Sequence, residues 1–185
     1  CKEACTMKKK VLIISSSPRK GGNSETLVAS FARGAQEAGH LVETVYLREK
    51  QFGFCKGCFG CLKLGHCVIN DDAVDIVARM HDADVLVFAT PVYYYCVSGQ
   101  LKTLLDRANP LYDGDYAFRK AYLLATAAED AADTFEGTEK AVQGWVDCFP
   151  RCTLAGTVFA GGVGEIGEIA GRPALEQAYQ MGRDI

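Results

Sequence analysis

The sequence predicts a doubly wound α/β fold, in which five parallel strands form one sheet with helices on both faces. Three observations carry this expectation. Apolar runs such as VLIIS and VLVFATPV are strand-sized and continuous, the pattern of strands buried on both sides. Segments between such runs place apolar residues at helical spacing, as Leu27, Phe31, Ala35 and Ala38 do. The two kinds alternate along the chain, and each parallel return needs a right-handed crossover that covers a face of the sheet. A chain of 185 residues suits one domain with a sizeable core.

In chain order, residues 9–15 (KKVLIIS) form the first strand, which ends in small residues. Asn23 and Ser24 offer a helix cap, and Gly39 stops the helix that follows. Residues 41–47 are the second strand. A loop with four cysteines comes next, and Asp71 with Asp72 caps a helix through Met80. Residues 84–90 give the third and most apolar strand, residues 99–109 a helix, and residues 121–127 the fourth strand. Residues 139–149 form a helix that carries the only tryptophan, Trp145. Residues 153–160 are the fifth strand, and residues 173–183 a closing helix with Pro173 in its first turn. No repeat or low-complexity linker interrupts the series. Residues 8–185 therefore read as one domain behind a tail of residues 1–7, with Met7 as the natural start. In such folds ligands bind beyond the carboxyl ends of the strands, where strand order reverses. Chemistry is expected in the loops after the first, third, fourth and fifth strands.

Composition narrows the partners. Apolar residues make up 49% and charged residues 23%, which is ordinary for a soluble globular protein. Lysine plus arginine number 20 against 23 acids, a net charge of −3, so neither nucleic acid nor an anionic membrane is expected as partner. No apolar run approaches the roughly 20 residues that span a bilayer. The expected location is the cytoplasm. Nine cysteines there should be mostly reduced thiols, so a cluster of them suggests metal or redox chemistry before disulfides. Cys1 and Cys5 fall in the tail, while Cys96, Cys148 and Cys152 are scattered and expected as buried small hydrophobes.

The first loop, SSSPRKGGNSET over residues 15–26, gathers hydroxyls, a guanidinium, an amide and two glycines at the start of a helix. Helix N–H groups, the helix dipole and Arg19 together suit a dianionic phosphate. No Gly-Lys-Ser/Thr follows the glycines, which argues against a nucleoside triphosphatase loop. The plain alternative is a polar turn with a serine cap. Residues 93–95 are three tyrosines after a buried strand; they suit a planar ring, or else a surface cluster or subunit contact.

CKGCFGCLKLGHC, residues 55–67, places Cys55, Cys58, Cys61 and Cys67 at intervening spacings of two, two and five. Thiolates so spaced can converge on one [4Fe–4S] cluster, and Gly57, Gly60 and Gly65 allow a tight wrap. Four thiolates also suit zinc, although zinc sites more often separate two CxxC pairs by a dozen residues or more. Free or partly oxidised thiols remain a third possibility, and disulfides the least favoured.

Taken in order, these stretches resemble the flavodoxin-like NAD(P)H-dependent FMN reductases. SSSPRKGGNSET is similar to their phosphate loop. TPVYYYCVSGQLKTLLDR, residues 90–107, resembles their flavin-ring loop and the helix after it. The four cysteines followed by Asp71 and Asp72 resemble the iron–sulfur flavoproteins within that group. GGVGEIGEIAGRPALEQAYQMGRDI is similar to their C-terminal segment. The resemblance implies that Ser15, Ser17, Arg19, Asn23 and Ser24 hold the FMN phosphate, with Thr26 at the edge. It implies that Pro91, Val92, Tyr93 and Tyr94 border the isoalloxazine, with Ser98 and Gly99 closing the loop. Ser16 stands where many relatives have glycine, and Cys96 where a small residue is usual. Residues 162–167 (GVGEIG) match the dinucleotide fingerprint GxGxxG. That fingerprint needs a strand–helix–strand unit with an acid on its second strand, and only one helix follows here, so a subunit or flavin-edge loop is expected instead. His40, His66 and His81 are scattered, and none is assigned as a base.

The function expected is that of a cytoplasmic FMN-dependent oxidoreductase with NAD(P)H as co-substrate. Electrons would pass to a small-molecule or protein acceptor, through a cluster or as a pair. A homodimer or homotetramer is expected, as in the relatives. The rival readings are an electron carrier without nicotinamide turnover and a thiol or metal redox sensor.

Overall fold

The structure, a computed structural model, describes residues 7–112 and 114–185. The expected tail up to residue 6, with Cys1 and Cys5, lies outside the described residues. Five strands form the sheet: β1 (Lys10–Ser15), β2 (Leu41–Tyr46), β3 (Val85–Pro91), β4 (Lys120–Thr126) and β5 (Thr153–Ala160). Their order is β2-β1-β3-β4-β5, and every neighbouring pair is parallel. Strand order therefore reverses between β1 and β3, which splays the loops that follow them and opens a crevice.

Among the described residues six helices flank the strands: α1 (Asn23–Glu37), α2 (Gly60–Leu64), α3 (Asp72–Asp82), α4 (Gly99–Arg107), α5 (Glu136–Val146) and α6 (Pro173–Arg183). Side chains alternate across each strand and so build two cores. Leu12, Ile14, Leu86, Phe88 and Leu123 face α3, α4 and α5. Val11, Ile13, Val85, Val87 and Leu124 face α1 and α6. Both faces of the central strands are covered, which is why the runs show no polar alternation.

Helices α1 and α6 touch through glycine. A Cβ on Gly34 would stand 2.0 Å from the Tyr179 carbonyl oxygen, and one on Gly182 would stand 2.2 Å from that of Phe31. Only residues without a Cβ permit this approach.

Several expectations need correction. Asn23 and Ser24 do not cap α1; Gly22 takes the cap position without a side-chain bond, and Asn23 is already helical. The two side chains are engaged elsewhere, as described below. Helix α5 starts at Glu136, a turn earlier than expected, and ends at Val146, so Cys148 and Phe149 lie beyond it. Helix α2 inside the cysteine loop was not expected, since five residues are too few for a periodic signal. Cys152 is buried in the core, and burial pushes its thiol up to about 11. Cys96 and Cys148 are exposed, contrary to expectation. The first sits at the foot of a rim turn, and the second lies past the end of α5, beyond its apolar stripe. Among the described residues no helix is long and apolar enough to cross a membrane.

Candidate functional site

Strand β1 delivers the phosphate-type loop to the crevice. Gly21 adopts φ +68°, and its N–H donates to the Glu25 carboxylate at 2.7 Å, which folds the loop tip back onto α1. Glu25 also pairs with Arg48, whose guanidinium lies 4.4 Å from the Tyr46 ring centroid. The one acid in the loop is thus neutralised within the protein. Gly22 leaves the cradle open, because a Cβ there would meet Arg19 Cβ at 3.2 Å. No hydrogen bond among the described residues occupies the N–H groups of Gly22, Asn23 and Ser24. These are orphan donors at the positive end of a 15-residue helix.

The side chains of this loop are more committed than their types suggest. Asn23 Nδ2 donates to the carbonyls of Val163 (3.1 Å) and Glu165 (2.8 Å), and its Oδ1 accepts from the N–H groups of Gly167 (3.1 Å) and Ile169 (3.4 Å). Arg19 Nη1 donates to the Gly164 carbonyl at 2.7 Å. The GVGEIG loop is therefore a wall laid over the first loop. It also closes on itself, since Glu168 accepts from the N–H groups of Gly164 and Glu165. Ser24 Oγ lies 2.7 Å from Thr126 Oγ1, which joins α1 to the end of β4.

The tyrosine loop is held by hydroxyls. Thr90 Oγ1 donates to Pro91 O and accepts from the Ser98 N–H, so it closes both ends of the loop. Ser98 Oγ donates to Ser16 Oγ at 2.8 Å, and Ser16 Oγ donates to Ala89 O at 3.0 Å. Serine at position 16, where glycine was the usual expectation, is thus the link between the two loops. Tyr93 and Cys96 pair across a tight turn whose central residues, Tyr94 and Tyr95, have φ of 50° and 60°. Such angles are costly for residues with a Cβ and are typical of functional sites. Tyr94 is fully exposed. A hydrogen bond to Glu129 holds the Tyr95 phenol above its ordinary value.

One cleft of about 220 Å³ brings the loops together. Ser17, Arg19, Asn23 and Ser24 line its polar end, and Pro91, Val92 and Tyr93 its apolar end. Thr126 at the end of β4, Ala127 and Ala128 just after it, and Val163 with Gly164 complete it. The expected residues outside its lining are Ser15, Thr26, Tyr94, Ser98 and Gly99. Ser15 is fully buried with its Oγ lacking a partner, and Ser98 is buried as the cap of α4. Thr26 faces a groove between α1 and α6 and bonds back to Gly22 O. Sequence inspection missed Thr126 and Ala127, although the end of β4 was a predicted ligand rim; no residue type there signalled it.

The cysteine loop occupies the α3–α4 side. Cys55, Cys58, Cys61 and Cys67 all line one cleft of about 350 Å³, backed by Asp106, Arg107 and Asn109 from the end of α4. Gly57, Phe59 and Gly65 have positive φ, and a Cβ on Gly60 would stand 2.8 Å from Val68 Cγ1, so the half-exposed valine would have to shift. Asn109 Nδ2 donates to Cys61 Sγ at 3.1 Å, and the Gly57 N–H to Cys55 Sγ at 3.4 Å. Among the described residues no three His, Cys, Asp or Glu side chains are gathered closely enough to hold a metal. The thiols share a cleft without converging.

Beneath the loop, Arg107 is buried. It donates to the carbonyls of Gly53 and Ile69 and to both Asp71 oxygens. Burial pushes the Asp71 carboxyl up, but Arg107 and the N–H groups of Gly53 and Ala73 outweigh it and hold it below the usual range. Asp71 bonding raises Arg107, burial opposes, and Cys67 adds to the rise.

A five-stranded 2-1-3-4-5 sheet, with unpaired helix N–H groups and an aromatic loop at its switch point, defines the flavodoxin-like class. The chain belongs to the NADPH-dependent FMN reductase family, which it matches over residues 9–162. It is 31% identical over 172 residues to an iron–sulfur flavoprotein of Methanosarcina thermophila, covering 93% of this chain and 87% of that one. An iron–sulfur flavoprotein of Methanocaldococcus jannaschii is 41% identical over 105 residues, which span 57% of this chain and 54% of that protein's length. Among solved structures, an NAD(P)H:quinone oxidoreductase from Methanothermobacter marburgensis superposes with a TM-score of 0.74 at 22% identity, covering 96% of each chain. That likeness concerns the fold.

Proposed function

We propose that the chain is an FMN-dependent NAD(P)H oxidoreductase whose flavin sits in the cleft between the first loop and the tyrosine loop. The observation that carries this is the joining of orphan helix N–H groups and an apolar, tyrosine-bordered end in one cleft at the strand switch point. Bound FMN supplies the redox chemistry, taking electron pairs from NAD(P)H and passing electrons to an acceptor. The protein's own task is position and electrostatics. Ser17, Arg19 and the N–H groups of Gly22, Asn23 and Ser24 would hold the phosphate. Pro91, Val92 and Tyr93 would exclude water from one side of the ring. Anaerobic mixing of FMN-loaded protein with NADH or NADPH tests this: rapid bleaching of the flavin is expected. Protein that binds FMN but stays oxidised would leave the electron-carrier reading, and a colourless protein would leave the thiol sensor.

The four cysteines would hold a [4Fe–4S] cluster, supported by an all-thiol donor set on one cleft with N–H donors aimed at Cys55 and Cys61. Such a cluster supplies single-electron relay to a partner. Close to four irons per chain are expected in anaerobic protein, and serine at any of the four positions should remove them. Serine at Cys96, Cys148 or Cys152 should not. A homodimer or homotetramer accounts for Phe54, Phe59 and Tyr94, which are 80%, 66% and 100% exposed. Light scattering that returns a monomer at micromolar concentration would overturn that assembly.

A further inference from the structure

We propose that Arg107, the last residue of α4, and Asn109, in the turn just after it, are the positioning residues of the four-thiol site: Arg107 fixes the cysteine loop, and Asn109 holds Cys61. The proposal rests on the reading of that loop as a cluster site.

Arg107 is the largest fully buried side chain among the described residues. A guanidinium stays charged when buried, so it is kept inside only where a counter-charge and acceptors are supplied, as Asp71 and two carbonyls supply them here. Its guanidinium reaches both ends of the cysteine segment. Nη1 donates to Gly53 O at 2.8 Å, two residues before Cys55, and Nη2 to Ile69 O at 3.0 Å, two residues after Cys67. Asp71 takes a forked pair of bonds at 2.7 and 2.8 Å, which sets the plane of the guanidinium. One side chain therefore closes the mouth of a loop that has little apolar anchorage of its own, since Phe54, Phe59, Leu62 and Leu64 are all at least half exposed. Nε is left without a partner in a buried setting. Arg107 also lies on the lining of the cysteine cleft, as does Asn109.

Four thiolates around an iron–sulfur core concentrate negative charge, and reduction adds one more. An N–H···S bond such as that from Asn109 stabilises the reduced state more than the oxidised one and so raises the reduction potential, while the charge of Arg107 is balanced by its forked pair with Asp71. Lysine at 107 cannot reproduce the forked pair to Asp71 together with the two carbonyl contacts, and alanine at 109 removes the amide donor to Cys61. Asn109 is half-buried on a single helical turn, so its truncation spares the core.

The test uses FMN-loaded full chain prepared anaerobically, as wild type, Arg107→Lys and Asn109→Ala. Iron and sulfide per chain, the cluster midpoint potential by spectroscopic titration, and amide exchange of residues 54–70 in iron-free protein are measured. Flavin content reports that each variant is folded. An iron-free wild type would sink the cluster reading and this proposal with it. With an iron-loaded wild type, Asn109→Ala is expected to keep its iron and shift the midpoint to more negative values. Arg107→Lys is expected to lose iron severalfold and to speed exchange throughout the loop, with the cluster absent from the measurement. Iron content and midpoint unchanged in both variants, or loop exchange unchanged in Arg107→Lys, would overturn the proposal and leave the cluster itself standing.

Discussion

At the scale of single residues, the first loop shows how one polar side chain can have two kinds of work. Arg19 carries the charge expected for a phosphate and also bonds the Gly164 carbonyl, so it joins the cradle to its wall. Arg19→Ala should weaken FMN binding by roughly 1.5–3 kcal/mol, about 10- to 150-fold, as measured by fluorescence titration. Riboflavin, without a phosphate, should show almost no difference between the two proteins. Asn23 is different in kind. Its amide makes four bonds to the loop of residues 163–169. Asn23→Ala strands two carbonyls and two N–H groups, and should cost roughly 2–4 kcal/mol in denaturant unfolding whether or not FMN is present. A loss confined to FMN affinity would show that the loop stands without it.

At the scale of elements, two helical glycines make opposite predictions from the same substitution. Helix propensity alone favours alanine over glycine by up to about 1 kcal/mol. A Cβ on Gly144 in α5 would have no neighbour within 4 Å, so Gly144→Ala should stabilise the protein by roughly 0.5–1 kcal/mol. At Gly34 the added carbon would meet the Tyr179 carbonyl at 2.0 Å, so α1 and α6 would have to part. Gly34→Ala should therefore destabilise by about 3 kcal/mol, with the loss seen as a lower melting temperature. Equal effects at the two positions would mean that the helices are not in backbone contact. The site depends on this contact, because α1 presents the cradle and α6 follows the wall that covers it.

At the scale of the whole molecule, stability should depend on pH through a residue far from the cleft. His40 is buried and accepts the Lys9 N–H. Burial, reinforced by Lys9, lowers its pKa from the ordinary 6.5, and a bond to the Ile185 backbone opposes this only in part. Above 6.5 the ring is neutral in both folded and unfolded chains. Below it the unfolded chain binds a proton that the folded chain refuses, so stability falls as pH drops from 6.5 toward the folded value. Asp71 works in a separate window: its lowered pKa contributes stability above its ordinary 3.8 that is lost only as pH falls further. Denaturant midpoints measured from pH 7.5 downward should decline near 6.5 in wild type and flatten in His40→Gln. An unchanged decline in that variant would assign the titration elsewhere.

Much was legible in the sequence because it is local. Continuous apolar runs, helical spacing and glycine punctuation are properties of neighbouring residues, and they led to five parallel strands with helices on both faces in the right places, most ends within one to three residues. The placing of Ser17, Arg19, Asn23 and Ser24 on one cleft and of the four cysteines on another was legible for the same reason, since each set lies within a few consecutive residues. What only the tertiary structure decided is every partnership across long separations. Ser16 and Ser98 are 82 residues apart, Asn23 and its partners in the loop of residues 163–169 are 140 to 146 apart, and Arg107 lies 54 and 38 residues from the two ends of the cysteine loop. A buried arginine and an exposed one are spelled alike. Which of them serves as a clamp depends on where the sheet order brings β1, β3 and the end of α4, and hydrogen bonds act only over about 3 Å of space, whatever the distance along the chain.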